Sequence, residues 1–280
     1  MPESAHPLER RHFLGLTPLL MLTPAAFART PRVHRESQPA DPLHAPSHFP
    51  LQDPAEVQEV VGKSHFDLDA VTELVTARPA LARAAIDWGF GDWESALGAA
   101  SHTGRREIAE LLIAHGARPN LFTHAMLGDI DIVRATLTAR PQLAAIKGPH
   151  GITLLDHARA GGHHAEIVLD YLSTIPEANQ PDPARDLPED LTPRYLGSYS
   201  FGTLPDERLI VSEKRGTLHL EREGQPSRRL LWQGGDAFTP AGAPSVRITF
   251  AGDRIEASTL TVHDPMPIVT ATRTGMPGRR

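Results

Sequence analysis

Cysteine is absent from this 280-residue chain, and tryptophan and tyrosine occur three times each. Without thiols the chain has neither disulfides nor thiolate ligands for zinc, so packing must hold the fold together. Positive charge is also scarce, because lysine and arginine total 28 against 34 acidic residues, a net charge of −6. A phosphate backbone meets no general attraction from such a chain. We therefore expect no nucleic-acid partner.

Local signatures of catalysis are absent too. The chain contains no S-x-x-K, G-x-S-x-G, Walker or G-x-G-x-x-G motif. Fifteen histidines raise the question of a metal, above all His163 and His164 with Glu166 nearby. Adjacent residues on a helix point about 100° apart, so this pair cannot chelate one ion, and Asp156 and His157 likewise do not face each other. The sequence predicts no enzyme, no cofactor and no metal ligand.

The first 28 residues indicate an export signal. Arg10 and Arg11 precede a largely apolar run at 14–27, and small residues at Ala26–Ala28 suit cleavage. The apolar run is too short for a stable membrane span. The arginine pair resembles the twin-arginine signal, but two neighbouring positions depart from its usual residues, which leaves the general secretory route open. We expect a periplasmic or extracellular protein, cleaved near Ala28.

Proline divides the chain. Ten of the 26 prolines lie in two stretches with few large apolar residues, six in 29–54 and four in 173–190. Such a composition does not bury enough surface to fold, so we interpret both stretches as linkers. The folded parts are then 55–172 and 191–275, and residues 276–280 form a tail.

One seven-residue phrase occurs twice, as TARPALA at 76–82 and TARPQLA at 138–144. Upstream of the two copies, Asp67–Val75 and Asp129–Leu137 place apolar residues at helical spacing. The residue before proline avoids the α region, so each copy should end a helix. Self-similarity of this kind indicates a repeat architecture.

A more specific pattern lies between the two copies, at Ser95–Asn120. It has small alanines on a first helix, Gly104 at a turn, apolar residues on a second helix and Gly116 at that helix's end. This segment resembles an ankyrin repeat, and 151–172 is similar to it. The resemblance implies about four degenerate repeats across 55–172, forming a solenoid of helical hairpins whose concave surface suits a protein ligand.

After Leu191 the pattern changes to seven or so short runs of strand-forming residues separated by turns. So many strands in about 85 residues favour an antiparallel sandwich or small barrel. The segments YLGSYSFG, G-x-L-x-L and GDAFTP resemble the lipocalin-like domain appended to penicillin-recognising serine hydrolases. The predicted fold class is therefore multidomain α+β, an ankyrin solenoid followed by a small antiparallel β domain.

The segment DWGFGDWE at 87–94 concentrates aromatic residues among glycines and acids. In ankyrin register it is the hairpin between the first two repeats, and exposed aromatics often anchor binding. Trp88, Phe90 and Trp93 are thus candidate partner-binding residues. Alternatively, one or two of them cover the end of the solenoid. We expect Trp93 to be more buried than Trp88.

The function that these features favour is binding. We predict an exported, monomeric ankyrin-repeat scaffold that engages a protein partner. The alternative is a small-molecule or lipid carrier, or an enzyme accessory subunit, that uses the interior of the β domain. An apolar pocket within residues 191–275 favours the carrier, whereas a core filled with side chains favours the scaffold.

Overall fold

The computed structural model describes residues 47–222, 225 and 227–275. Arg10 and Arg11 of the predicted export signal lie outside these ranges, as does the predicted tail. Within them, every helix is too short or too polar to cross a membrane.

Four pairs of helices make up the helical region. Their bounds are α1 Pro54–Lys63, α2 Leu68–Ala77, α3 Ala96–His102, α4 Arg106–Ala114, α5 Leu121–Leu127, α6 Ile130–Ala139, α7 Leu154–Ala160 and α8 Glu166–Ser173. The two helices of each pair contact each other, and the first helices stack in the order α1, α3, α5, α7. The apolar faces are buried between successive pairs in two core clusters, one around α1–α4 and one around α5–α8.

Both copies of the TARP phrase end a helix, as predicted. Arg78 and Arg140 follow α2 and α6 with φ of −141° and −144°, outside the helical range. A short 3₁₀ turn comes next in each copy, at Pro79–Arg83 and Pro141–Ala145. The repeated sequence gives a repeated geometry, because proline acts on the residue before it in the same way at both sites.

Two glycines close turns that other residues would strain. Gly104 has φ of 69°, and a Cβ added there would lie 2.1 Å from the carbonyl oxygen of Ala160. Gly116 has φ of 91° after α4, and the next amide, of Ala117, donates to Leu112 O at 2.9 Å. The left-handed helix end predicted at Gly116 is confirmed.

Strands β1 Ala85–Asp87 and β2 Trp93–Ser95 form a hairpin between the first two helix pairs. The C-terminal region is a closed antiparallel barrel of eight further strands, in which each strand pairs with the next along the chain and the last pairs with the first. Their bounds are β3 Gly197–Ser200, β4 Arg208–Lys214, β5 Thr217–Arg222, β6 Arg228–Gly234, β7 Ala237–Pro240, β8 Arg247–Gly252, β9 Ala257–Asp264 and β10 Met266–Gly275. Of the two predicted alternatives, the barrel is the one that forms. Strand β7 is additional to the runs identified in the sequence. The chain is thus mixed α+β with a barrel.

Aromatic side chains fill the barrel core. Tyr195, from the short helix α9 (Thr192–Tyr195), packs with its ring centroid 4.9 Å from those of Phe238 and Phe250. The ring centroids of Tyr199 and Phe250 lie 5.7 Å apart. Packed aromatic side chains thus occupy this part of the barrel interior.

The proline-rich segment after α8 contacts both regions. Asp182 pairs with Lys147 of the helical region at 2.5 Å and accepts from the amide of Gly242 in the barrel at 3.0 Å. The amide of Arg185 donates to the carbonyl of Trp232 at 2.8 Å. The segment connects the two regions and also bonds them together.

Candidate metal centre

A two-stranded hairpin between the first two helix pairs presents one carboxylate to the interior. Its strands are β1 Ala85–Asp87 and β2 Trp93–Ser95. Glu94 is fully buried, whereas Trp93 is 64% exposed and Trp88 is half-buried. The expectation that Trp93 would be the more buried tryptophan is wrong. Successive strand residues point to opposite faces, so the burial of Glu94 turns Trp93 outward.

Three histidines surround Glu94. His65 follows α1, His102 ends α3, and His150 lies in the loop before α7. Their Nε2 atoms lie 2.8 Å (His102) and 3.5 Å (His150) from Glu94 Oε1, and 3.6 Å (His65) from Oε2. One ligand atom from each of these four residues lies within 4.8 Å of the other three. We call this group the His–Glu cluster.

The spacing of the cluster suits a coordinated ion. Four donors around a tetrahedral zinc ion at about 2.0–2.1 Å are about 3.3 Å from one another. The Nε2 atoms of His65 and His102 are 3.2 Å apart, and the distances to Glu94 are similar. Imidazole and carboxylate ligands together suit Zn²⁺, with Ni²⁺, Cu²⁺ and Fe²⁺ as competitors.

The carboxylate of Glu94 is held in an orientation that leaves one oxygen available. Trp88 Nε1 donates to Glu94 Oε2 at 2.8 Å. Oε1 is buried and lies 2.8 Å from Nε2 of His102 and 3.5 Å from Nε2 of His150. One oxygen is therefore fixed by the indole, and the other faces His102 and His150 as a ligand atom.

Two of the histidines are oriented in the same way. His65 Nδ1 lies 3.1 Å from the carbonyls of Val61 and Gly62, which only accept, so Nδ1 carries the proton. His150 Nδ1 lies 2.9 Å from Asp92 Oδ2, a carboxylate–histidine contact typical of metal ligands. In both rings the Nε2 atom is left to face the cluster.

Asp92 extends the network to the barrel. Its Oδ1 accepts from the backbone amide of His150 at 2.9 Å, and its Oδ2 accepts from Nη2 of Arg228 at 2.5 Å. Arg228 is the first residue of β6, and both charged side chains are buried. Through Asp92, hydrogen bonds next to the cluster join the helical region to the barrel.

Contacts within the cluster shift the pKa values of Glu94 and His150. Burial raises the pKa of Glu94, but the neighbouring His102 and His150 imidazoles outweigh it and bring that pKa to about 2. Burial lowers the pKa of His150, whereas hydrogen bonds to Asp92 and Glu94 raise it to about 9. At neutral pH an imidazolium therefore lies between two carboxylates. A bound cation would replace its Nε2 proton, as metal ligation by histidine requires.

An apolar cavity of about 350 Å³ lies beside the cluster, where the hairpin meets the barrel. We call it the junction cavity. Its walls include Trp88, Phe90, Leu209, Leu220, Val262 and Arg228. Trp88 also packs against the helical core, and Phe90 against the barrel core.

The structure separates the residues singled out in the sequence. Trp88 and Phe90 contact the protein's own cores, and Trp93 faces outward. His163 and His164 are exposed, with ring centroids 3.8 Å apart, and belong to no cluster with a carboxylate among the described residues. The partner-binding roles of Trp88, Phe90 and Trp93 stay predictions.

Sequence reasoning missed all four members of the His–Glu cluster. Its histidines come from three separate helix pairs, so no short spacing motif connects them. The one usable signal was the period of two in the hairpin, which places Glu94 opposite the exposed Trp93. Comparison with protein-family models, curated proteins and solved structures finds no match to this chain.

Proposed function

We propose that this protein binds one divalent transition-metal ion of the zinc type through His65, Glu94, His102 and His150. The observation that carries the proposal is the convergence of their four ligand atoms within 4.8 Å around a fully buried carboxylate. Four protein ligands leave no open position, which is typical of structural zinc sites. This supports a binding protein and not an enzyme.

The ion would stabilise the junction of the repeats. The ligands come from the end of α1, the β1–β2 hairpin, α3 and the loop before α7. Structural metals contribute their binding free energy to folding, because the unfolded chain has no preformed site. We therefore expect the metal-loaded protein to unfold at a higher temperature than the metal-free protein.

The test is a metal titration. Chelator-treated protein is titrated with Zn²⁺ by calorimetry and with Co²⁺ by visible absorption, which reports coordination geometry. We expect one ion per chain. Glu94→Gln should lower the affinity on the order of 100-fold or more, because a neutral amide replaces the anionic ligand.

The matched control is the double variant His163→Ala, His164→Ala, which removes an exposed imidazole pair outside the cluster. It should bind Zn²⁺ as the unmodified chain does. Loss of binding in this control, with binding retained in folded Glu94→Gln, would show that any metal sits on the surface pair. Circular dichroism of each variant distinguishes lost ligation from lost folding.

We further propose that the helical region is a degenerate ankyrin solenoid. Four stacked helix pairs, a hairpin between the first two pairs and glycines at two helix turns support this assignment.

We also propose that the protein is exported. Replacing Arg10 and Arg11 with lysine should leave precursor in the cytoplasm, and unchanged secretion would argue against a twin-arginine route.

A protein partner is the second candidate function. Trp93 favours it, because a tryptophan that is 64% exposed is an unusual surface residue and a common binding anchor. It lines a surface pocket with Ala117, Arg118 and Asn120. A photo-crosslinking residue at position 93 should capture one defined protein from periplasmic extract, and a similar yield from a residue at exposed position 132 would mark the capture as nonspecific.

A further inference from the structure

The junction cavity and the His–Glu cluster share two residues. Trp88 lines the cavity with its ring and donates from Nε1 to Glu94 Oε2 at 2.8 Å. Arg228 lines the cavity and pairs with Asp92, the carboxylate that holds His150. Each residue is thus a wall of the cavity, and Trp88 contacts a proposed metal ligand directly whereas Arg228 contacts one through Asp92.

The chemistry of the cavity points to an amphipathic occupant. Most of its lining is apolar, and its volume of about 350 Å³ lies within the range of small-molecule sites. The Arg228 side chain is only 8% exposed, and its Nε has no hydrogen-bond partner among the described residues. A buried donor without an acceptor is costly. A ligand oxygen beside this guanidinium would satisfy it.

We infer that the junction cavity binds an aliphatic carboxylate of medium chain length, and that Trp88 and Arg228 couple this binding to metal binding at the His–Glu cluster. The coupling rests on the proposed metal function. The apolar chain would occupy the space between Phe90 and the strands of the barrel. The carboxylate would lie at Arg228, whose fork of donors already holds Asp92 with one nitrogen.

The coupling has a direct route. A chain packed on the indole limits the motion of Trp88, whose N–H holds the Glu94 carboxylate with Oε1 toward the histidines. A carboxylate at Arg228 likewise fixes the partner of Asp92, which orients His150. Occupancy of the cavity therefore favours the metal-binding geometry. Thermodynamic linkage requires the metal to favour the ligand by the same factor.

Decanoate is the probe. Its affinity is measured by calorimetry for the full chain, Zn²⁺-loaded and chelator-treated, and Zn²⁺ affinity is measured with and without decanoate. We expect decanoate to bind one to one, and at least about fivefold more tightly to the Zn²⁺-loaded protein. Decyltrimethylammonium has the same chain length and the opposite charge, and should bind at least about tenfold more weakly beside a guanidinium.

Trp88→Phe separates the wall from the hydrogen bond. It keeps an aromatic ring in the cavity but removes the N–H to Glu94, so the effect of Zn²⁺ on decanoate affinity should fall below about twofold. Trp232→Phe is the matched control. It removes the N–H donated to Gly235 O in the barrel, and should keep the full coupling.

The outcomes distinguish the two proposals. Normal Zn²⁺ binding without decanoate binding overturns the cavity ligand and leaves the metal site intact. Decanoate affinity that is equal with and without Zn²⁺, or coupling unchanged in Trp88→Phe, overturns the coupling. If the unmodified chain binds no Zn²⁺ in the metal titration alone, the proposed function fails, and the coupling fails with it.

Discussion

The helical region and the barrel bury different kinds of side chain. The helical core consists mainly of alanine, valine and leucine, and buried polar groups lie beside it. These polar residues are Ser64, Asp92, Glu94, Ser101, Thr123, Thr153 and His157. The barrel core holds four packed aromatic rings, and Arg228 is the buried charge that its strands contribute among the described residues.

This difference assigns separate tasks to the two regions. Small side chains let paired helices approach closely, so the segments that connect them converge and bring their polar groups together. A closed barrel satisfies its backbone between strands and fills its interior with large rings. The helical region therefore supplies the ligands of the His–Glu cluster. The barrel contributes Arg228, which pairs with Asp92 beside the cluster.

The largest expected effect comes from breaking the connection between the regions. Asp92→Asn removes the charge that Arg228 and His150 share, and leaves a buried guanidinium without its anion. Breaking one partner of a buried pair costs about 3–5 kcal/mol. Urea unfolding of Asp92→Asn should show a loss of this size.

The control for this variant is Glu221→Gln, at the partly exposed pair that Glu221 forms with Lys214 within the barrel. It should change the free energy of unfolding by less than about 1 kcal/mol. Equal effects of the two variants would mean that Asp92 does not bond the helical region to the barrel.

A smaller effect, specific to the helical region, is the pH dependence that His157 imposes. Burial lowers its pKa to about 4 and outweighs the opposite effect of the hydrogen bond that Nδ1 donates to Thr153 O at 2.8 Å, so the folded protein keeps the ring neutral. Histidine in an unfolded chain titrates near about 6.5, so the unfolded state binds more protons below that pH. The stabilisation is complete above pH of about 6.5 and is lost as pH falls to about 4, by about 2–3 kcal/mol in total.

This slope is measured by urea unfolding of chelator-treated protein between those two pH values. His157→Gln should flatten it, because the variant has no group that titrates at this position. The shifts of Glu94 and His150 act mainly below and above this interval, since their pKa values are about 2 and about 9. A slope that persists in His157→Gln would assign the effect to another group.

Local features of the fold could be predicted from the sequence, because local chemistry determines them. Proline ended both TARP helices, and Gly116 took the left-handed conformation. Alternating residues such as those of β5 and β8 predicted strands. Each of these rules acts over a few residues, within reach of a pattern along the chain.

The His–Glu cluster was not predictable in this way, because stacking creates it. His65, His102 and His150 meet only when three helix pairs are in register. The error over Trp93 has a related origin. Hydrophobicity favoured burial of the indole, but bonds from Trp88 and contacts with His102 stabilise Glu94 inside, and strand alternation then exposes Trp93.

Two glycines in the helical region allow a comparison of stabilities, with an expected difference from the unmodified chain of about 1–2 kcal/mol for the larger effect. Gly116→Ala should destabilise by that amount, because φ of 91° strains any residue with a Cβ. No neighbouring atom within 4 Å would obstruct the added methyl, so the cost comes from the backbone alone. Gly62→Ala, within α1 at negative φ and equally unobstructed, should stabilise by about 0.5–1 kcal/mol. The measurement is the thermal unfolding temperature of each variant. A shift of both temperatures in the same direction would contradict this account.

The smallest expected effect concerns Trp93. Its side chain is 64% exposed on the outer face of the hairpin, opposite the buried Glu94. Trp93→Ala should change the free energy of unfolding by about 0.5 kcal/mol or less, as exposed substitutions usually do. It should also leave Zn²⁺ affinity unchanged, because no described contact joins this indole to the cluster.

Trp88→Ala, five residues earlier, removes both packing and the N–H to Glu94, and should lower stability and Zn²⁺ affinity together. If Trp93→Ala instead weakens Zn²⁺ binding as Trp88→Ala does, the two faces of the hairpin are not independent. The outer face could then serve a partner only at the expense of the metal site, and the distinction between a binding surface and a structural centre would not hold.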